Sequence, residues 1–306
     1  MSDAEAADDA AGGTWLSVVT VVRNDAEALR RTLASVAAQD PELLTSGAVE
    51  HLIVDGASTD GTCELALAWA AEHPWVRVHS APDSGVYNAM NAGVRLARGD
   101  LLLFLNAGDD FSSTGELAAV RADWEREQFE WGRYRARFVD AERQPTRPLA
   151  PAGLDVEAFC RGEQERYHQG AVMSKDLLTA LGGFDERFRI VADFDLMRRA
   201  LLAGHRPWVS DRILTDFDAS GLSALAWRES LAEEHQVRSG GTDAPARARS
   251  WLLWRRRTVL IGSKRGLRRA AERLLGTERV SELRSRDLAA GPTGTQENAE
   301  AADDGG

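Results

Sequence analysis

Acidic and amide side chains gather at places in this sequence where they could do chemistry. Asp55 opens the run Asp55-Gly56-Ala57-Ser58-Thr59-Asp60 directly after the apolar stretch His51–Val54. Asn106-Ala107-Gly108-Asp109-Asp110 follows the unbroken apolar run Leu101–Leu105. Asp193 and Asp195 stand at the head of a helical pattern, and His168-Gln169 precede another short apolar run. Carboxylate and amide oxygens crowded after a strand can hold a hard divalent cation, which prefers oxygen ligands. The same crowding also describes an ordinary polar turn. A carboxylate at the end of a second strand often holds a nucleoside through a hydroxyl or a ring N–H. Asp193 and Asp195 have helix capping as a competing role, because Asp at a helix start accepts backbone N–H bonds and complements the helix dipole. A single histidine such as His168 is more often a hydrogen-bonded structural residue than a catalyst.

The elements that would position these groups read as alternating strands and helices. Trp15–Val22 is β-branched and apolar, as a buried first strand should be. Asn24 and Glu27 have the spacing of a capping box for a helix whose buried stripe is Leu29, Leu33 and Val36. Pro41 and Gly47 fall in its exit loop. A second strand, His51–Val54, leads to a helix over Cys63–Glu72 that His73-Pro74 ends. Val76–Ser80 is a third strand. Val86, Ala89, Met90, Gly93, Val94 and Ala97 then recur at helical spacing, and Gly99 supplies a stop that tolerates positive φ. Leu101–Leu105 suits a strand buried on both faces. Successive strand–helix units predict a parallel sheet with right-handed crossovers. The Asp55 and Asn106–Asp110 loops then open on one edge of that sheet, which favours a cation site over a plain turn. No G-x-G-x-x-G follows the first strand and no G-x-x-x-x-G-K-[ST] occurs, so a diphosphate would need another neutralising group. A divalent cation on Asp109 would serve.

Farther along, Glu116–Glu127 reads as helix and Phe129–Asp140 as an exposed strand alternating apolar with basic residues. Pro145, Pro148 and Pro151 mark a loop. Ala171–Met173 is a short strand, Asp176–Leu181 a short helix, Phe184–Ile190 a polar loop, Trp208–Phe217 a strand and Ser220–Ser223 a turn. Leu225–Arg238 is a charged helix. Trp251–Leu275 mixes tryptophans and leucines with arginines, a pattern that suits an anionic membrane surface, a helix packed with a solvated basic face or a partner-binding helix. The chain of 306 residues is 43% hydrophobic and 28% charged, enough for a large core. Its net charge of -11 argues against a nucleic-acid partner. Cys63 and Cys160 make neither a disulfide framework nor a zinc spacing, so a reducing cytoplasm is the default. No signal peptide or membrane-spanning run is legible. The expected organisation is an acidic tail over 1–13, an α/β domain over 14–223, a helical basic extension over 224–285 and a second acidic tail over 286–306.

The segments SVVTVVRN, HLIVDGASTDGT, DSGVYNAMNAGVRLARGD, FLNAGDD, HQGAV, GGFDERFRIVADFDLMRRA and DFDASGLS occur in order between Trp15 and Ser223. Together they resemble the inverting family-2 glycosyltransferases of GT-A fold, those of bacterial cell-surface polysaccharide and glycolipid synthesis above all. The resemblance implies an α/β fold of GT-A type, a Rossmann-like, mostly parallel sheet flanked by helices, here with a C-terminal helical appendage. It implies a nucleoside-diphosphate-sugar donor, a glycan or lipid-linked acceptor, and a divalent cation, Mg2+ or Mn2+. Donor-nucleotide contacts are implied for Thr20, Val21, Asn24, Asp55, Asn91 and Asn106. The family's metal-binding D-x-D element falls on Asn106–Asp109, where Asn106 and Gly108 depart from the pattern. Asp109 remains as metal ligand, with Asp110 a second candidate. Asp193 takes the place of the catalytic base, although Ala192 stands where the family has an acidic neighbour. His168, Gln169 and Asp195 are implied on the acceptor side. The implied location is cytoplasmic or peripheral on the inner face of the cell membrane. The departures at Asn106, Gly108 and Ala192 support an alternative, a non-catalytic nucleotide-sugar-binding or scaffold protein on the same fold. A nucleotidyltransferase ranks last, because no glycine-rich loop follows the first strand.

Overall fold

In a computed structural model of the chain, the residues described are 13–140, 143–146, 153–164, 166–218 and 226–240, with 248, 250–252, 254–256, 258–260 and 263 beyond them. The elements run β1 (Leu16–Val22), α1 (Ala26–Ala37), α2 (Pro41–Thr45), β2 (Val49–Asp55), α3 (Thr62–Glu72), β3 (Val76–Ser80), α4 (Val86–Leu96) and β4 (Leu101–Phe104). They continue with β5 (Asp110–Phe111), α5 (Glu116–Glu127), β6 (Trp131–Val139), α6 (Val156–Cys160), β7 (Ala171–Ser174), α7 (Lys175–Ala180), α8 (Ala192–Leu202), β8 (Trp208–Asp218) and α9 (Trp227–Ser239). The strands form one sheet in the order β3-β2-β1-β4-β7-β6-β8-β5. β1 is parallel to β2 and β4, and β2 to β3. β7 runs antiparallel between β4 and β6, β8 pairs parallel with β6, and β5 closes the edge antiparallel to β8. This is the mostly parallel α/β sheet flanked by helices that the sequence leads one to expect.

Strands β1, β2 and β4 are buried along their whole length because helices cover both faces. Side chains alternate between the faces, as the strand period of two requires. Val19, Val21, Leu52, Val54, Leu102 and Phe104 join a core with Met90 of α4 and Phe194 of α8. Val22 and Ile53 meet Leu29 and Leu33 of α1 and Ala66 of α3 on the other face. Each fully buried Leu or Ile stabilises the fold by roughly 1.5–3 kcal/mol. Register then places the candidate site. Val22 faces Asp55, and the Ala107 N–H donates to the Val21 carbonyl at 3.2 Å, so the loops after β2 and β4 leave the sheet side by side.

Several local expectations are corrected. Asp25, not Asn24, caps α1: its carboxylate accepts the Ala28 N–H at 3.0 Å. Asn24 instead has φ 52°, a left-handed conformation that Asn tolerates, and accepts the Thr59 N–H at 2.8 Å. The exit loop after α1 contains α2, with Asp40 as cap and Pro41 in its first turn, where a missing N–H costs nothing. Gly99 is not a left-handed stop; α4 ends at Leu96. Glycine is required at 99 because a Cβ there would lie 2.5 Å from the Ser17 nitrogen. The strand expected to be exposed, β6, lies inside the sheet with Trp131, Tyr134 and Val139 buried. Its basic residues mislead because Arg137 is paired, bidentate, with Asp216 at 2.7 and 2.6 Å rather than solvated.

The turn at Ser220–Ser223, Pro148, Pro151, the tails over 1–12 and 286–306, and the extension beyond 263 lie outside the described residues. Trp251, Leu252, Val259 and Leu260 are exposed. Among the described residues no helix is long and apolar enough to cross a membrane.

Candidate active site

A cavity of about 710 Å³ opens at the carboxyl edge of β1 and β4. Asn106, Gly108 and Asp109 form one wall, His168 and Gln169 another, and the start of α8 with Asp193 a third. His168, nearly buried, joins two of these walls. Its Nδ1 lies 3.2 Å from Asp193 Oδ2 and its Nε2 lies 3.1 Å from Asn106 Nδ2. With Asp193 ionised, Nδ1 carries the proton and donates it, and Nε2 accepts from the Asn106 amide. Only that tautomer satisfies both neighbours of a neutral ring. The amide orientation that follows leaves Asn106 Oδ1 buried with no protein hydrogen bond. Asp193 Oδ1 accepts the Phe194 N–H at 2.8 Å and meets the Tyr87 hydroxyl at 3.4 Å. Tyr87 donates chiefly to the Ile190 carbonyl at 2.7 Å. Burial, then the Asp193 charge, hold its phenol far above the usual range, so it is a fixed donor and not an acid. Oδ2 of Asp193, bonded to His168, retains further acceptor capacity, and Asp193 lines the cavity.

The loop after β4 is pinned by Thr32 of α1. The Thr32 hydroxyl donates to the Asp109 carbonyl at 2.8 Å and accepts the Gly108 N–H at 3.0 Å. Gly108 has φ 96°, which a residue with a Cβ rarely adopts. The turn brings Asp109, 6% exposed, into the cavity wall. It sends Asp110 elsewhere. Asp110 lies in β5, pairs with Arg143 and does not line the cavity, so the structure does not support it as a second metal ligand. Burial raises the Asp110 pKa, with Arg143 and Arg31 opposing. Among the described residues no group of three or more His, Cys, Asp or Glu could hold a metal by itself. Asp109 and the buried, unpaired Asn106 Oδ1 fit a cation whose other ligands are water and a substrate diphosphate, the usual manner for Mg2+.

The residues expected at the donor nucleotide separate into distinct environments. Asp55 ends β2 fully buried; its Oδ2 accepts the Ser80 hydroxyl at 2.6 Å and the Ser58 N–H at 3.1 Å. Its Oδ1 is buried without a protein partner. Asn24 ties the loop after β1 to this one. Thr20 and Val21 are not brought to the cavity. Thr20 is buried, donates to the Leu105 carbonyl at 2.7 Å and receives His51 Nε2 at 2.9 Å, while Val21 packs in the core. Asn91 holds the loop before α8, donating to Phe184 O at 2.9 Å and Glu186 at 2.8 Å. Asp195 also turns away. It pairs with Arg199 at 2.7 Å, and Arg199 in turn donates to the carbonyls of Leu181 and Gly183.

Sequence reasoning missed several cavity residues. Arg31 brings positive charge, Arg166 is paired at 2.8 Å with Glu234 of the same lining, and Phe138, Tyr167 and Phe217 form an aromatic wall with Phe138–Phe217 centroids 3.9 Å apart. An aromatic in a strand or helix pattern carries no local mark that separates cavity wall from core. Tyr87 is such a case.

Comparison with known proteins matches residues 17–181 to the model of glycosyl transferase family 2. An uncharacterized glycosyltransferase of Mycobacterium tuberculosis is 34% identical over 212 residues, covering 68% of this chain and 77% of that one. A PGL/p-HBAD biosynthesis glycosyltransferase of the same species is 31% identical over 183 residues, covering 58% and 66%. Among solved structures, residues 1–349 of Staphylococcus aureus TarS with UDP-GlcNAc superpose with a TM-score of 0.58 at 15% identity, covering 77% of this chain and 69% of that one. The chain spans 43% of the longer TarS structure. The mannosyltransferase PcManGT from Pyrobaculum calidifontis, in complex with GDP-Man and Mn2+, superposes with a TM-score of 0.59 at 18% identity, covering 92% and 81%. At these identities the structural likeness speaks for the fold.

Proposed function

The chain belongs to glycosyl transferase family 2, and on that premise we propose that it moves a sugar, with inversion, from a nucleoside-diphosphate sugar to a hydroxyl of a glycan or lipid-linked acceptor. The observation that carries this reading is the hydrogen-bonded chain Asp193–His168–Asn106, which ends beside Asp109 in one cavity. Asp193 is the general base. Its Oδ2 takes the proton of the acceptor hydroxyl as that oxygen attacks the anomeric carbon from the face opposite the diphosphate. The new C–O bond forms, the bond to the diphosphate breaks, and the carboxylate holds the proton. His168 keeps the carboxylate aimed by donating Nδ1–H to the same oxygen, so the attacking hydroxyl meets a fixed acceptor rather than a rotating one.

Asp55, through its unpaired Oδ1, is proposed to accept a ring N–H or hydroxyl of the nucleoside. Asp109, with the Asn106 amide oxygen, would hold a divalent cation, which when bound stabilises the charge that develops on the leaving diphosphate. Arg31 adds positive charge to the same cavity, whereas Arg166 is paired with Glu234 of the same lining. The neighbours solved with UDP-GlcNAc and with GDP-Man and Mn2+ support this type of donor. A role in cell-surface polysaccharide or glycolipid synthesis, with the exposed Trp251 and Leu252 and the arginines after them resting on anionic lipid, belongs to the same proposal. The test is a screen of nucleotide sugars for hydrolysis and transfer, with and without Mn2+. Metal-dependent turnover of one donor class is expected. No turnover and no binding of any nucleotide sugar would overturn the reading.

A further inference from the structure

Helix α9 lies beyond the family-matched stretch and beyond the boundary drawn at residue 223, yet it reaches the head of α8. Its Glu233, 8% exposed, accepts backbone N–H bonds from three consecutive residues: Arg189 at 2.9 Å, Ile190 at 2.9 Å and Val191 at 3.2 Å. Val191 is the N-cap residue of α8, and no side-chain cap is made there. Glu233 therefore does from another helix what a capping side chain does locally. It satisfies one buried and two part-buried donors and sets a negative charge at the positive end of the helix dipole. The Ile190 carbonyl accepts the Tyr87 hydroxyl, and that hydroxyl also meets Asp193 Oδ1. A rigid path thus runs from Glu233 through the 189–191 backbone to Asp193.

We propose that Glu233 is a positioning residue of the transfer reaction, fixing the head of α8 so that Asp193 Oδ2 stays on His168 and faces the cavity. The inference rests on the reading of Asp193 as the base. Glu233→Gln is the direct probe. Gln keeps the size but offers one acceptor oxygen, and its NH2 opposes the amides that a carboxylate oxygen had satisfied. Small misplacements of a reacting group are expensive in rate. In Glu233→Gln, kcat should fall about tenfold or more, while the dissociation constant of the nucleoside diphosphate stays within about twofold. Glu233→Asp should recover part of the rate. Glu229→Gln serves as the control, because Glu229 lies on the same helix, is exposed, and pairs at 3.1 Å with the Arg189 side chain.

A second readout needs no turnover. The 15N resonances of the His168 ring report the Nδ1–H bond to Asp193 and should move in Glu233→Gln but not in Glu229→Gln. A wild-type kcat with an unmoved ring signal in Glu233→Gln would overturn the proposal. So would equal loss of donor binding and rate with no recovery in Glu233→Asp, which marks a merely structural role. If the wild-type chain transfers no sugar from any donor, the functional reading fails on its own. The ring signal still decides whether Glu233 positions Asp193: displaced supports the inference, unmoved overturns it.

Discussion

At the amino edge of the sheet, Glu50 Oε1 accepts the Ser17 hydroxyl at 2.6 Å and the Arg98 N–H at 2.5 Å, and Oε2 accepts Arg77 at 2.6 Å. Ser17 in turn accepts the Gly99 N–H at 2.9 Å. At the carboxyl edge of the same strands, Asp55 Oδ1, Asn106 Oδ1 and Gln169 Oε1 are buried without protein partners. Both ends bury polar groups at a cost that hydrogen bonds must offset. At the amino end the Glu50 cluster offsets it internally and ties β1, β2, β3 and the turn before β4 together, with the Trp15 indole nitrogen left without a hydrogen-bond partner beside it. At the carboxyl end the unpaired acceptors of Asn106 and Gln169 belong to residues that line the cavity, whereas Asp55 lies outside its lining. A closed polar cluster is a clasp; an open one at a cavity is a candidate site. His51 sharpens the contrast. Its Nδ1 is also unpaired, but it sits inside the sheet, where its Nε2 meets Thr20 and no ligand reaches.

The contrast can be broken at its strongest point first. Glu50→Ala should destabilise the fold by about 3 kcal/mol, since it strands buried donors that only a carboxylate satisfies. The shift of a urea midpoint measures it, and the folded variant should still bind donor. An unchanged midpoint would mean that the clasp is idle. The second test is pH. Burial lowers the His51 pKa from 6.5 to about 3. Below 6.5 the unfolded chain takes up a proton that the folded chain refuses until about 3, so stability falls as pH drops through that window. The slope should approach about 1.4 kcal/mol per pH unit. Urea melts at successive pH values should show this slope, and His51→Gln should flatten it.

The third test sharpens the open end. Asp109→Ala should weaken metal-dependent binding of a nucleoside diphosphate by about tenfold or more, roughly 1.4 kcal/mol. Asp110→Asn should leave it within about twofold, because Asp110 is engaged by Arg143. Calorimetry with and without EDTA separates them, and a reversed ranking would return Asp110 to the cation. A small effect is also expected from Asp195→Asn, a loss of transfer below about threefold. Arg199 keeps its carbonyl partners there, and its ion pair with the mostly buried Asp195 lies away from the cavity lining.

Strands β1, β2 and β4 were legible because they are buried on both faces and so read as unbroken apolar runs, whereas the two-residue β5 and the order of the strands across the sheet were not. Strand ends brought together only the Asp55 and Asn106–Asp110 loops, and the resemblance of the ordered motifs is what implied His168 and Asp193 beside them. Side-chain direction was not. Residues two apart on a helix point about 200° away from each other, so an Asp193 that faces the cavity sends Asp195 to Arg199. Thr20 lies in a strand whose every side chain is buried, and sequence alone could not tell a core hydroxyl from a ligand contact. Glu233 was illegible for another reason: its partners lie more than forty residues earlier, and no local pattern marks a carboxylate that caps a distant helix.

Chemistry at the open end is proposed to run through Asp193, which lines the cavity. Asp193→Asn preserves shape and most hydrogen bonding but removes the base. With the donor class found in the screen, nucleoside-diphosphate binding and the urea midpoint should stay near wild type, while the transfer rate falls by at least about a hundredfold. A near-wild-type rate in Asp193→Asn would contradict the account.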